Sequence, residues 1–288
     1  MFGTYEKFNI IRATFARKGA SQFIIEDFNK PGQLRLGGYR GGDPHLATDF
    51  LFDIKPLVNG IPTAYTYFCD EASLTVAADA CCAEVEFALT DRGYLRARGD
   101  GAGLRLELRS AIGGGARACR GVYALPDGSG WEADFGKHGK LFVDMLSGSF
   151  SSCCVYDDEK NEYTTVIFDF LPDSDTCEFD AAIHQYIGKN VESICGYEEF
   201  DDLVENNRDD FAEFCKKYPP APRGYEEVAK YAAWAVWSHA SGTTEMLVEP
   251  VFLPKLAPHG RGGMAAELQR HGDAGRSRRG METYMHAV

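Results

Sequence analysis

From about residue 8 to 195 the apolar positions fall in short runs or alternate, and polar turns interrupt them every 8 to 15 residues. Phe23, Ile24 and Ile25 form one short run, and the stretches "PTAYTYFCD" and "LTVAADACCAEVEFAL" are rich in β-branched and aromatic residues. In "GYLRARGDGAGLRLELRSAI", Leu95, Leu104, Leu106 and Leu108 keep a period of two around Gly99-Asp100-Gly101, the pattern of a hairpin. "GVYALPDGSGWEADFG" repeats the arrangement, with Pro126-Asp127-Gly128 as the turn. The runs "KLFVDMLSGSF", "SSCCVYDD", "YTTVIFDFL" and "CEFDAAIHQYIG" continue it. Many short strands joined by polar turns predict a large antiparallel β-sandwich over 1–195.

Near residue 196 the period changes. Phe200, Leu203, Val204, Phe211 and Phe214 recur at helical spacing, and Pro219-Pro220 end the run. A linker, "APRG", follows within a connecting segment of 196–223. The next helix, about 224 to 239, puts Val228, Tyr231, Ala232 and Ala235 on one stripe and Trp234, Trp237 and Ser238 on its neighbour. Apolar surface on two sides is the mark of a helix enclosed by other helices, so 224–255 is expected to begin a second, helical domain.

The segment 256–288 breaks this pattern. It holds five arginines, no lysine, six glycines and one aromatic residue, Tyr284, and it lacks either apolar period. Two expectations compete for it: a disordered basic tail, or a stretch read out of register. Shifted by one nucleotide, codons consistent with it encode a tryptophan-rich string that continues an enclosed helical domain.

Composition narrows the partners. The 288 residues carry a formal net charge of -13 with a sequence pI of about 5.0, which argues against nucleic acid and anionic membrane as partners. Glu6, Lys7, Arg12 and Arg17 break every apolar run near the start, so no secretory signal is expected, and no stretch approaches membrane-spanning length. Nine cysteines include the adjacent pairs Cys81-Cys82 and Cys153-Cys154; strand neighbours point to opposite faces, so neither pair is expected to bond to itself. No CxxC occurs, which disfavours zinc, and the expectation is buried, reduced thiols in a cytoplasmic protein without a metal.

Several polar clusters have simpler readings than a site. "DDEKNEY" reads as a solvated hairpin tip and "DDLVENNRDD" as a helix face. "GDGAGL" mimics a phosphate loop but precedes a strand pattern, so it reads as a turn. His45 with Asp43 and Asp49 is a weak candidate for a small polar site, and no GxSxG elbow occurs.

The stretch "YAAWAVWSHASGTTEMLVEPVFLPK", Tyr231 to Lys255, resembles the first catalytic-domain helix and following loop of the glycoside hydrolases related to processing α-glucosidase and mannosylglycerate hydrolase. In that family a β super-sandwich precedes an (α/α)6 toroid. The resemblance therefore implies a mainly β chain followed by the first helices of an incomplete toroid. It also implies hydrolysis of an α-glycosidic bond by acid- and base-assisted attack of water, without a cofactor. The catalytic carboxylates are expected beyond these residues, leaving none here. Trp234, Trp237, His239 and Lys255 are the candidates for carbohydrate binding: the indoles by stacking, His239 by hydrogen bonding, Lys255 by contact with the substrate or an acid. Helix packing competes for both indoles, chiefly Trp234; completion of the helix dipole competes for His239, and an ordinary surface role for Lys255. Two other functions stay open: a non-catalytic carbohydrate-binding or scaffold sandwich, and an (α/α)6 disaccharide phosphorylase.

Overall fold

The computed structural model describes residues 15–17, 23–27, 33–38, 196–241 and 251–252, together with 51–186 apart from 80, 92, 110–114, 127, 129, 137 and 138. Among these the protein is mainly β. Strands β1 (Phe23–Asp27), β2 (Leu34–Gly38), β3 (Leu51–Val58), β4 (Ile61–Pro62), β5 (Tyr65–Cys69), β6 (Ser73–Ala78), β7 (Glu84–Leu89), β8 (Tyr94–Asp100) and β9 (Gly103–Arg109) come first. Then follow β10 (Gly121–Ala124), β11 (Trp131–Asp134), β12 (Lys140–Ser147), β13 (Ser149–Asp157), β14 (Glu162–Leu171) and β15 (Glu178–Tyr186). The first sheet runs β1-β2-β3-β9-β14-β13, with β4 also on β3, and the second runs β10-β11-β12-β15-β8-β7-β6-β5. Every pair of neighbouring strands is antiparallel.

Alternation along the strands makes the core. Leu104, Leu106 and Leu108 of β9 and Val166, Phe168 and Phe170 of β14 point inward from the first sheet. Leu74, Phe87, Leu95, Phe179 and Ile183 meet them from the second, in one continuous apolar cluster. This supports the expected sandwich at the level of two antiparallel sheets sharing a core.

The turn chemistry splits into two kinds. The Pro126-containing turn closes a hairpin between β10 and β11, with Leu125 N–H donating to the Gly130 carbonyl at 2.8 Å. The "DDEKN" tip joins β13 to β14 as an exposed hairpin turn. The Gly-Asp-Gly turn does not make the predicted hairpin. Strand β8 pairs with β7 and β15, whereas β9 pairs with β3 and β14, so residues 99–103 carry the chain from one sheet to the other. The crossing is tight: a Cβ on Gly99 would lie 2.2 Å from the Phe179 ring and 2.3 Å from the Ala102 carbonyl, and Gly101 sits at φ +65°. A second crossing, β12 to β13, turns at Gly148 (φ +78°).

Strand β6 is buried on both faces because helix α1 (Phe200–Cys215) covers the outer side of the second sheet. Phe200, Leu203 and Val204 pack there on Ala72 and Ala88. Asn207 anchors α1 further, donating to the carbonyls of Ala72 (3.3 Å) and Leu89 (3.0 Å). Helix α2 (Glu226–His239) docks beside α1, with the Phe211 and Trp237 rings edge-to-face at 5.5 Å. A short ribbon, β16 (Ala240–Ser241) with β17 (Val251–Phe252), follows.

The cysteines differ from the expectation. Only Cys69 and Cys119 are buried among the described ones; Cys81, Cys82, Cys153 and Cys177 are exposed, and Cys154 and Cys215 are half-buried. Cys81 and Cys82 lie in the turn between β6 and β7, where the strand rule of opposite faces does not act. Cys153 and Cys154 do lie on a strand, but on the sheet's outermost one, which leaves both partly open to solvent.

Candidate functional site

The segment 196–201 crosses the outer face of the second sheet just before and into α1, and two arginines of β8 hold it there. Arg96, 1% exposed, forks onto Asp180: Nε donates to Oδ1 at 3.2 Å and Nη2 to Oδ2. Its Nη1 donates to the Glu198 carbonyl at 2.6 Å, and its guanidinium lies 5.7 Å from the centre of the Tyr197 ring and 5.9 Å from that of Phe200. Arg98 bridges Glu86 (3.1 Å) and Asp201 (2.8 Å) and stacks at 4.3 Å on Phe200. Burial raises the Asp180 carboxyl above its ordinary value, opposed by the charge of Arg96 and its hydrogen bond.

A cleft of about 210 Å³ opens beside this clamp, lined by Arg98, Ser147, Glu178, Asp180, Glu199 and Asp201 among others. It is smaller than the roughly 300–1,000 Å³ typical of small-molecule sites. Asp180 and Asp201 are already paired with Arg96 and Arg98. The cleft is therefore a polar seam held by ion pairs; nothing in it sets up an acid opposite a base.

His184 of β15 forms the second polar element under the same segment. Its Nε2 lies 2.9 Å from the Tyr197 hydroxyl, which in turn donates to the Asp144 carboxylate. The ring packs on Tyr94 (4.9 Å) and Phe142 (6.0 Å). Burial pushes the His184 pKa down to about 4, so it is neutral and weakly basic near pH 7.

A pH dependence follows. The unfolded chain takes up a proton near pH 6.5 that the folded one refuses until about pH 4, so this contribution is complete above pH 6.5 and lost as pH falls through that window. The loss is on the order of 3 kcal/mol. Urea denaturation between pH 7 and 4 is expected to show a steeper decline for the natural chain than for His184→Gln; parallel curves would refute the assignment.

The residues chosen from sequence are placed otherwise. Trp234 and Trp237 are 0% and 1% exposed and belong to the main apolar cluster. Trp234 packs on Tyr231 at 5.9 Å; Trp237 meets Phe211, and the Arg17 guanidinium lies 5.7 Å from its ring centre. Enclosed rings offer no face to a sugar, so the structure corrects the stacking role for both indoles in favour of packing. On this stripe α1 supplies Phe211 as a neighbour of Trp237. His239 is the last residue of α2, and its side chain lies outside the described residues, as do Lys255, His45, Asp43, Asp49 and the segment 256–288. The structure brings together Arg96, Arg98, His184 and Tyr197, none of which the sequence marked. The one available signal was Arg96 and Arg98 alternating with Leu95 and Ala97 on a strand, two residues apart on one face.

Among the described residues no helix is long and apolar enough to cross a membrane, and no group of three or more His, Cys, Asp or Glu is placed to hold a metal ion. No family model matches the chain, and no curated protein matches it.

Proposed function

We propose that this chain carries the sandwich domain and the opening helix of the catalytic domain of a glycoside hydrolase acting on α-glycosidic bonds of oligosaccharides or small glycosides. The observation that carries this reading is the order of the parts: two large antiparallel sheets, a connecting helix α1, then α2 leading into the stretch Tyr231 to Lys255 that resembles such enzymes. A second feature supports it. On the side of α2 away from the indoles, Tyr225 and Val228 are 62% and 55% exposed, Ala229 is exposed, and Ala232 and Val236 are half-buried. An apolar stripe of that width is what a neighbouring helix covers. The two carboxylic acids, one protonating the leaving oxygen and one activating water, belong to helical segments outside Tyr231 to Lys255.

The test compares two proteins. One is the chain as it stands. The other continues after Lys255 in the frame shifted by one nucleotide. Only the second is expected to release sugar from nitrophenyl α-glycosides or maltooligosaccharides. Failure of a folded longer protein to do so overturns the hydrolase reading, and release that requires phosphate shifts it to a phosphorylase.

The complete burial of Trp234 and Trp237 favours one rival, a non-catalytic carbohydrate-binding sandwich whose helical appendage is finished in itself. Under it, the chain as it stands binds oligosaccharide in a calorimeter, and the longer frame adds nothing.

A further inference from the structure

Strand β13 (Ser149–Asp157) leaves one backbone edge of the first sheet open. It pairs with β14 on one side, and among the described residues no strand pairs with it on the other. The other edges of the two sheets are guarded. Phe15 exchanges two backbone hydrogen bonds with Ile25 of β1, at 2.7 and 2.8 Å, and β4, β5 and β10 are only two, five and four residues long. Strand β13 runs for nine residues, and from Ser149 to Tyr156 it carries no charge and no proline. Its pairing shifts register once, but the extra residue, Thr164, lies on β14, so β13 itself stays regular. An edge strand is ordinarily blunted by a lysine, a proline, a bulge of its own or a cover, and β13 shows none of these among the described residues. Six of its nine residues are exposed, Val155 and Tyr156 at 48% and 45%.

We propose that this edge is an interaction surface for a second copy of the chain, two β13 strands pairing antiparallel about a two-fold axis at Cys153. The strand is self-complementary in that register. Ser151 faces Val155, Tyr156 of each copy comes beside Phe150 of the other, and Asp157, the one charged residue of the strand, meets Ser149. Aromatic pairs form at both ends and no like charges meet. Charge also selects the orientation. A formal net charge of -13 makes two copies repel each other, so a contact between them needs a stretch free of charge, and β13 supplies one. Antiparallel pairing sends the two acidic tips at Asp157–Glu159 to opposite ends of the ribbon, about 30 Å apart, well beyond the screening length of roughly 8 Å at physiological salt. Parallel pairing would set the tips side by side. Two-fold pairing takes up the open edge of both copies at once, so assembly stops at a dimer.

The test is sedimentation equilibrium of the full chain. A reversible equilibrium between 31.8 kDa and twice that mass is expected. Its dissociation constant is expected at about 1–100 μM, the weak end, because the interface is small. Added salt is expected to tighten it, since screening weakens the repulsion between two acidic chains. Cys153→Lys sets two ammonium groups against each other at the axis. It is expected to weaken dimerisation at least about tenfold while the circular dichroism spectrum stays that of the natural chain. Ser151→Lys is expected to weaken it too, and Val155→Glu, added to the same chain, to restore it by facing position 151 of the other copy. A short bis-maleimide is expected to join two copies through Cys153, and Cys153→Ser to abolish that link with the dimer intact. A chain that stays at 31.8 kDa throughout that concentration range would overturn the proposal. So would a dimer indifferent to lysine at positions 151 and 153, failure of Val155→Glu to restore pairing, or growth beyond two copies.

Discussion

Replacing Trp234 by alanine is expected to lower the unfolding free energy by about 3–5 kcal/mol, because it removes the largest kind of side chain from a site with no access to water. The ring is 0% exposed, belongs to the main apolar cluster and packs on Tyr231, so close-packed neighbours bound the space it leaves. Guanidinium denaturation followed by circular dichroism is expected to show a lower midpoint with an unchanged slope. Trp237→Phe is the informative companion. The Trp237 indole N–H has no hydrogen-bond partner among the described residues, so phenylalanine sheds a buried unsatisfied donor while keeping most of the apolar area. Its loss is expected to stay below about 1.5 kcal/mol. A Trp234→Ala loss under about 1 kcal/mol would mean that α2 is not docked as described. The indoles would then be free to stack on sugar, as the sequence suggested.

That outcome bears on what the sequence could and could not disclose. The helical period placed α2 to within about two residues and put α1 inside 196–223, because Phe200, Leu203, Val204 and Phe211 repeat with the spacing a helix needs to bury one face. It also separated the two stripes of α2. It did not say which stripe the protein covers, since indoles packed on a neighbour and indoles facing a ligand leave the same pattern. The hairpin tips at Pro126 and at Asp157–Asn161 were readable because local turn residues fix them. The Gly99–Gly101 turn uses the same residue types, yet its strands join different sheets. Hairpin or crossing is decided by whether β8 finds β9 or β15 and β7, a choice made by partners far along the chain. Arg96 was hidden for a related reason: Leu95-Arg96-Ala97-Arg98 reads as a strand with a solvated polar face, and only α1 folding back over that face makes it interior.

For the same reason Arg96→Ala is expected to rank with Trp234→Ala, at about 3–5 kcal/mol, although it removes no apolar core residue. Three groups lose this partner at once: the Asp180 carboxylate, the Glu198 carbonyl and the face of Tyr197, while Phe200 keeps Arg98 at 4.3 Å. The Glu198 carbonyl is left without a donor and Asp180, 21% exposed at the cleft, without its forked partner, and those costs, more than the lost attraction, dominate. Arg96→Lys is expected to recover less than half, because an ammonium makes one contact where the guanidinium forks onto two carboxylate oxygens and a carbonyl. The Arg105–Asp169 pair supplies the contrast. It is forked in the same way, at 2.7 Å on both arms, and its carboxylate is about as exposed as Asp180 (18% against 21%), but its guanidinium is 24% exposed against 2% for Arg96. Water competes for it, so Arg105→Ala is expected to lose no more than about 1 kcal/mol. A double-mutant cycle between Arg96→Ala and Asp180→Ala is expected to show coupling above about 1.5 kcal/mol, since the second change removes the stranded charge. Additive losses would show that Arg96 stabilises the fold through its aromatic contacts and the carbonyl alone, and the segment 196–201 would then be held by packing.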